Sequence, residues 1–247
     1  MDYTILFEVL LCLALGYFIG GISPSFMIGK MKGFDIREEG SHNAGATNTM
    51  LMAGKAAGVF VALMDILKAA CSWWLCCWLF PELELAGILG GVACIIGHMY
   101  PVFLGFHGGK GLACMGGVVL AYSFKSFLLM LSLAIVIGLI TNYVCIVTSS
   151  MAAIWPVYYG FRSGNWLGTV ILLVPLLPII LKHAENFRRI PEGKELRLSY
   201  LWNKEAELLR TGYEEVDKRL IFIHFESFFT CFCSSFAIAL FIKKTVL

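Results

Sequence analysis

Long apolar stretches broken by a few short polar islands set the pattern of this chain. Residues 3–28, 56–80, 85–104, 112–122, 127–147, 148–161 and 166–181 are nearly unbroken runs of Leu, Ile, Val, Ala, Phe and Gly. At the helical rise, about 20 residues cross a hydrocarbon core of about 30 Å. The runs therefore predict about seven transmembrane helices and an all-α fold, a polytopic integral membrane helical bundle. A further apolar run at 220–242 carries His224 and Glu226. It reads either as an additional span or as an interfacial or partner-binding helix.

Three polar islands interrupt the apolar background: residues 40–48 (Gly-Ser-His-Asn-Ala-Gly-Ala-Thr-Asn), residues 106–111 (Phe-His-Gly-Gly-Lys-Gly) and residues 182–195. Lys30, Lys32, Arg37 and Lys55 bracket the first, whereas the next turn, Pro81-Glu-Leu-Glu84, has no Lys or Arg. By the positive-inside rule the first island is cytoplasmic. The segment 182–219 holds Lys182, Arg188, Arg189, Lys194, Arg197, Lys204, Arg210, Lys218 and Arg219, nearly half of the 19 basic residues. An odd number of spans from an outside N-terminus puts that segment on the same face, so all three islands are expected to share one site.

Within the spans, Gly16, Gly20, Gly21 and Gly29 form a small-residue stripe of the kind that lets helices approach closely in lipid. Asp65 and Lys68, three apart, share one helix face inside the second span. Charges there are expected to pair or to face an aqueous site, so a structural ion pair and a substrate role both stand open.

Composition fixes the class. The chain of 247 residues is 59% hydrophobic and 15% charged, with mean hydropathy +0.79, against roughly 45–50% and 25% in soluble domains. A net charge of +2 gives no support for a nucleic-acid partner. The first run has acidic Asp2 and Glu8 and no basic leader, which favours a retained span over a signal peptide. Of the nine cysteines, only Cys114 lies near a polar loop, and they read as small core residues.

The islands carry groups suited to phosphate. Gly108, Gly109 and Gly111 would leave backbone amides free to converge on an anion, with Lys110 adding full charge. Leu104 and the Gly after Lys110 rule out a Walker loop. His183, Asn186 and Arg189, spaced i, i+3, i+6, would share a helical face where the chain leaves the membrane. No His is followed by Asp at the fifth position, and only Asp2, Asp35, Asp65 and Asp217 occur. A His-x4-Asp acyltransferase dyad is thus excluded, and neither a metal nor an organic cofactor is expected.

On these residues the chain resembles the bacterial acyl-phosphate:glycerol-3-phosphate acyltransferase family, the PlsY type. Gly40-Ser41, Asn43 and Gly45-Ala-Thr-Asn48 resemble its first motif, Gly97-His98 through Pro101 and Gly108-Gly-Lys-Gly111 its second, and His183, Asn186, Arg189, Gly193 and Glu195 its third. The resemblance implies a membrane acyltransferase domain at 1–195 and, beyond it, a C-terminal extension at 196–247, where residues 200–210 read as a surface helix. It implies transfer of a fatty acyl group from acyl-phosphate to the 1-hydroxyl of sn-glycerol 3-phosphate, without a metal, at the cytoplasmic face of the bacterial inner membrane. His183, Asn186 and Ser41 are then the expected catalytic residues. Asn43, Thr47, Asn48, Gly108, Gly109, Lys110, Gly111, Arg189, Glu195 and Lys68 are the expected substrate-binding residues. The chain departs from the pattern at Leu51, where the motif has Arg, at His42, where it has Gly, and at Cys114, where it has Thr. The alternative these departures raise is an impaired paralogue that binds lipid or a phosphate metabolite.

Overall fold

The computed structural model describes residues 3–212, and within them every regular element is helical. The expected run at 220–242 lies outside the described residues. The first apolar stretch breaks into α1 (Tyr3–Gly21) and α2 (Pro24–Met31), because Ser23 caps the amide of Phe26 and Pro24 opens the next helix. Then come α3 (Ala46–Ala53), α4 (Lys55–Leu79) and α5 (Ala86–Met99). Gly54, at φ +99°, makes the sharp corner between α3 and α4. After α5 follow α6 (Leu112–Tyr122), α7 (Phe124–Thr141), α8 (Val144–Ser163), α9 (Trp166–Leu173), α10 (Leu176–Lys182), α11 (Ala184–Arg189) and α12 (Lys204–Thr211).

Among the described residues, five helical segments are long and apolar enough to cross a membrane: Tyr3–Met31, Lys55–Leu79, Ala86–Leu104, Phe124–Thr141 and Val144–Ser163. Leu112–Tyr122 and Trp166–Lys182 are shorter apolar segments. The expected division between the fifth and sixth runs, at residue 147, is corrected to Asn142, which turns the chain in the left-handed region at φ 62°. Periodicity could not show this turn, since both flanks are apolar.

The bundle is held by close backbone approach. A Cβ on Gly20 would stand 2.1 Å from the carbonyl of Cys94, and one on Gly97 would stand 2.0 Å from that of Tyr17, so α1 and α5 nearly touch. Gly117 meets Ile66 in the same way between α6 and α4. Small residues let helices gain dispersion contacts in lipid, where the hydrophobic effect between helices is absent. Behind them lies a core that includes Val92, Met99, Met115, Val118, Met151 and Trp155. Cys12, Cys76, Cys94, Cys114 and Cys145 are buried and unbridged.

The surface helix expected at residues 200–210 is observed as α12, which begins at Lys204. Glu207 is buried and Arg210 is its ion-pair partner at 2.5 Å, whereas Leu209 faces outward. The charged pair faces inward because it fastens the helix to the segment before it.

Candidate active site

Residues 40–48 are organised by Asn48. Its Nδ2 donates to the carbonyls of Ile36 and Glu39, both at 2.9 Å, and its Oδ1 accepts from the amide of Ser41 at 2.9 Å. Fully buried, Asn48 is a latch for the loop and does not line the cavity described below. It turns Ser41 and Asn43 inward, while α3 presents Thr47. Arg37 ties this loop to the second island, since it pairs with Asp35 at 2.7 Å and donates to the carbonyl of Leu104 at 2.9 Å. That guanidinium holds the Asp35 carboxyl well below the usual carboxylate range. His42 adopts φ 55°, a conformation suited to glycine, and its Nδ1 lies 3.2 Å from the Arg37 carbonyl, away from the cavity.

The second island is a packing device as well as a loop. The amide of Gly108 donates to Met99 O at 3.2 Å and that of Gly109 to His98 O at 3.0 Å. A Cβ on Gly108 would stand 2.0 Å from His98 O, and one on Gly109 would stand 2.1 Å from His98 Nε2. The expected phosphate cradle is therefore corrected at these two positions, whose amides are already bonded and whose glycines admit His98. Gly111, at φ +93°, starts α6 and lines the cavity beside Lys110. Helix N-termini favour negative charge.

In the third island His183 is the joint between α10 and α11, and it is buried. Its Nδ1 lies 2.8 Å from the carbonyl of Ile179. A carbonyl only accepts, so Nδ1 carries the proton and Nε2 is left as an acceptor. Burial pushes the imidazole down to about 4, against the opposing effect of the Ile179 hydrogen bond, so the ring is neutral at pH 7. Lys110 Nζ donates to Asn186 Oδ1, and Asn186 Nδ2 donates to Glu195 Oε1 at 2.6 Å. Burial also lowers the pKa of Lys110, with Glu195 opposing. Glu195 Oε2 is buried and has no hydrogen-bond partner among the described residues. Arg189 does not line the cavity, and its guanidinium reaches Glu185 at 2.7 Å. Asn186 and Arg189 lie three apart on α11, and of the two only Asn186 lines the cavity.

These groups meet at one cavity of about 350 Å³. Of the residues singled out in the sequence, Ser41, Asn43, Thr47, Lys110, Gly111, His183, Asn186 and Glu195 line it. The cavity continues as an apolar arm along α6, α7 and α8, with Met115, Val119, Phe127, Met130, Met151 and Trp155 on its walls. Sequence reasoning missed this arm because it draws on faces of three separate runs that are apolar all round. Asp65 and His98 also line the cavity, while Lys68 stands behind them. Lys68 Nζ lies 2.7 Å from Asp65 Oδ1 and 3.1 Å from His98 Nδ1, and donates to Ile22 O at 2.7 Å. Asp65, His98 and Cys114 offer ligand atoms within 4.8 Å of one another. The ammonium of Lys68 already supplies the cation of that group, which makes it a poor fit to a metal ion.

A membrane-embedded helical bundle with a cationic, hydrogen-bonding mouth and an apolar arm defines a protein built for an amphiphile with an anionic head. The family model for glycerol-3-phosphate acyltransferase matches residues 10–193. Glycerol-3-phosphate acyltransferase of Enterococcus faecalis is 37% identical over 206 residues, covering 78% of this chain and 93% of its own length. That of Bacillus subtilis is 32% identical over 194 residues, covering 78% and 99%. The crystal structure of PlsY, an integral membrane glycerol 3-phosphate acyltransferase, in its glycerol 3-phosphate form superposes with a TM-score of 0.72 at 33% identity. It covers 80% of this chain and 98% of that one. The chain belongs to the glycerol-3-phosphate acyltransferase family.

Proposed function

We propose that this protein transfers a fatty acyl group from an acyl-phosphate to the 1-hydroxyl of sn-glycerol 3-phosphate, releasing lysophosphatidate and inorganic phosphate. The observation that carries this reading is the convergence of Lys110, His183, Asn186, Glu195, Ser41 and Thr47 on a cavity whose remainder is apolar. Both substrates bear phosphate, and one bears an acyl chain that fits the arm between α6, α7 and α8. Relatives named for acyl transfer to glycerol 3-phosphate support the same reading.

The glycerol hydroxyl oxygen attacks the acyl carbonyl carbon, an ester bond forms, and the bond from that carbon to the phosphate oxygen breaks. Lys110 neutralises phosphate, and its position is fixed by Asn186. His183 Nε2 and the Glu195 carboxylate accept hydrogen bonds from the glycerol hydroxyls and orient the attacking oxygen. A neutral imidazole whose pKa lies near 4 is too weak a base to keep the proton, so the proton passes to the leaving phosphate. The polar mouth faces the cytoplasm of a bacterial inner membrane, in keeping with the basic residues around all three islands.

Purified protein in detergent, given acyl-phosphate and glycerol 3-phosphate, is expected to release phosphate and form lysophosphatidate in equal amounts. Absence of both products, or phosphate release that does not depend on glycerol 3-phosphate, would overturn the reading.

A further inference from the structure

The family model stops at residue 193, yet the chain beyond it does not leave the site. Glu195 and Leu196 line the cavity. Leu198 and Ser199 donate their amides to the backbone carbonyl and side-chain Oδ1 of Asn142, at 2.8 and 3.0 Å. Lys55 Nζ donates to Leu201 O at 2.5 Å. Tyr200 is buried with Leu196 against Ile36, Ala44, Leu51 and Met52. Residues 196–203 thus form a strap fixed to the α7–α8 turn and to the start of α4.

Arg210, on α12, closes this strap onto the third island. One end of its guanidinium donates to the carbonyl of Gly193; the other donates to the carbonyl of Glu195 at 2.5 Å and to Glu207 Oε2 at 2.5 Å. Glu207 is held in turn by the amide of Arg197 and the hydroxyl of Ser199, each at 3.2 Å. A planar fork with fixed donors suits this three-acceptor grip, and a lysine would satisfy only part of it. The residue gripped is one that lines the cavity and whose carboxylate binds Asn186 through one oxygen, the other having no hydrogen-bond partner among the described residues.

We propose that Arg210 is a positioning residue for the acyltransferase site, acting through Glu195. By fixing the backbone on both sides of Lys194 it aims the Glu195 carboxylate at Asn186, which sets the oxygen that orients Lys110. The proposal rests on the functional reading above, and it makes the segment after residue 193 a working part of the site.

The test is a double-mutant cycle on glycerol 3-phosphate binding, measured by calorimetry in detergent so that inactive variants still report. Arg210→Ala is expected to weaken binding about tenfold, equivalent to about 1.4 kcal/mol, while melting as a folded protein. Arg210→Lys is expected to recover part of that loss. In a Glu195→Gln background, Arg210→Ala is expected to add little, because a residue acting through another shows strong non-additivity. Should Arg210→Ala fail to fold, Glu207→Gln loosens the same grip and is expected to weaken binding in the same direction. Wild-type affinity in Arg210→Ala, or in Glu207→Gln where that variant stands in, overturns the proposal and leaves the functional reading intact. So does an equal loss with and without Glu195, which marks a strap that only stabilises the fold. A wild-type protein that does not bind glycerol 3-phosphate overturns the functional reading itself, and this proposal with it.

Discussion

Two buried ionic clusters border the same cavity and differ in what they leave unused. Asp65, Lys68 and His98 close on one another: the ammonium lies between the carboxylate and the imidazole and spends a further proton on Ile22 O. Lys110, Asn186 and Glu195 form an open chain that ends in a carboxylate oxygen with no hydrogen-bond partner among the described residues. In the first, the carboxylate lies against its own cation at 2.7 Å; in the second, the carboxylate meets an amide and no cation among the described residues. Burial of charge is common to both and so cannot identify the site; what separates them is whether the buried carboxylate has a cation in contact with it.

The sharpest way to break this comparison is to unbalance the closed cluster. Lys68→Ala leaves a buried carboxylate without its cation, and is expected to destabilise the protein by about 3–5 kcal/mol, read from denaturant unfolding in detergent. Lys68→Met combined with Asp65→Asn should regain most of that loss. A Lys68→Ala protein that unfolds like wild type but is inactive would make the cluster functional and erase the distinction. Leu51→Arg is a parallel case in an apolar setting. Leu51 is 1% exposed among Ile36, Ala44, Met52, Leu196 and Tyr200, so a guanidinium there has no partner, and the expected cost is again about 3–5 kcal/mol. Tighter glycerol 3-phosphate binding by a well-folded Leu51→Arg protein would show that the side chain reaches the cavity.

Cutting the open chain is expected to leave the fold and remove the chemistry. Lys110→Ala should lower kcat/KM by about 10²–10³-fold, the usual effect of removing one donor from a site of developing negative charge. Its melting temperature should stay close to wild type, since a loop lysine contributes little packing. A melting temperature that drops with activity would place Lys110 in the same class as Lys68.

Much of this arrangement was legible in the sequence, for a physical reason. Polar residues are costly in a membrane chain, so those present stand out, and eight of the expected site residues line the cavity. The misreadings came from residues whose chemistry is ambiguous without contacts. Asn48 looked like a ligand and is a loop latch; Gly108 and Gly109 looked like an anion cradle and are clearances for His98. Arg189 shares α11 with Asn186 yet does not line the cavity, its guanidinium lying on Glu185, a contact that spacing alone does not show. The apolar arm was illegible for the opposite reason, since its walls look like every other lipid-facing run. Arg210 carried no signal at all, being one basic residue among many in a segment read as a surface helix.

The smallest expected effect concerns His183, and it tests the state in which the open site is held. Its pKa in the folded protein, about 4, lies below the ordinary 6.5, chiefly because of burial. Between these two values the unfolded chain takes up a proton that the folded chain refuses, so lowering the pH through that window favours unfolding. Stability should therefore fall from about pH 6.5 toward pH 4, by at most about 1.4 kcal/mol per pH unit from this residue. Other carboxylates titrate near the lower end, so the comparison that isolates it is with His183→Asn, whose stability profile should be flatter between pH 6.5 and 5. The rate should show the complementary behaviour: because Nε2 stays an acceptor, turnover need not collapse at pH 6, once titration of the substrate phosphates is controlled. An equally steep stability profile in His183→Asn, together with a turnover midpoint near 6.5 that vanishes in the variant, would mean that the imidazole is charged and solvated in the working protein. The site would then lack its neutral acceptor, and the hydroxyl would have to be oriented by Glu195 alone.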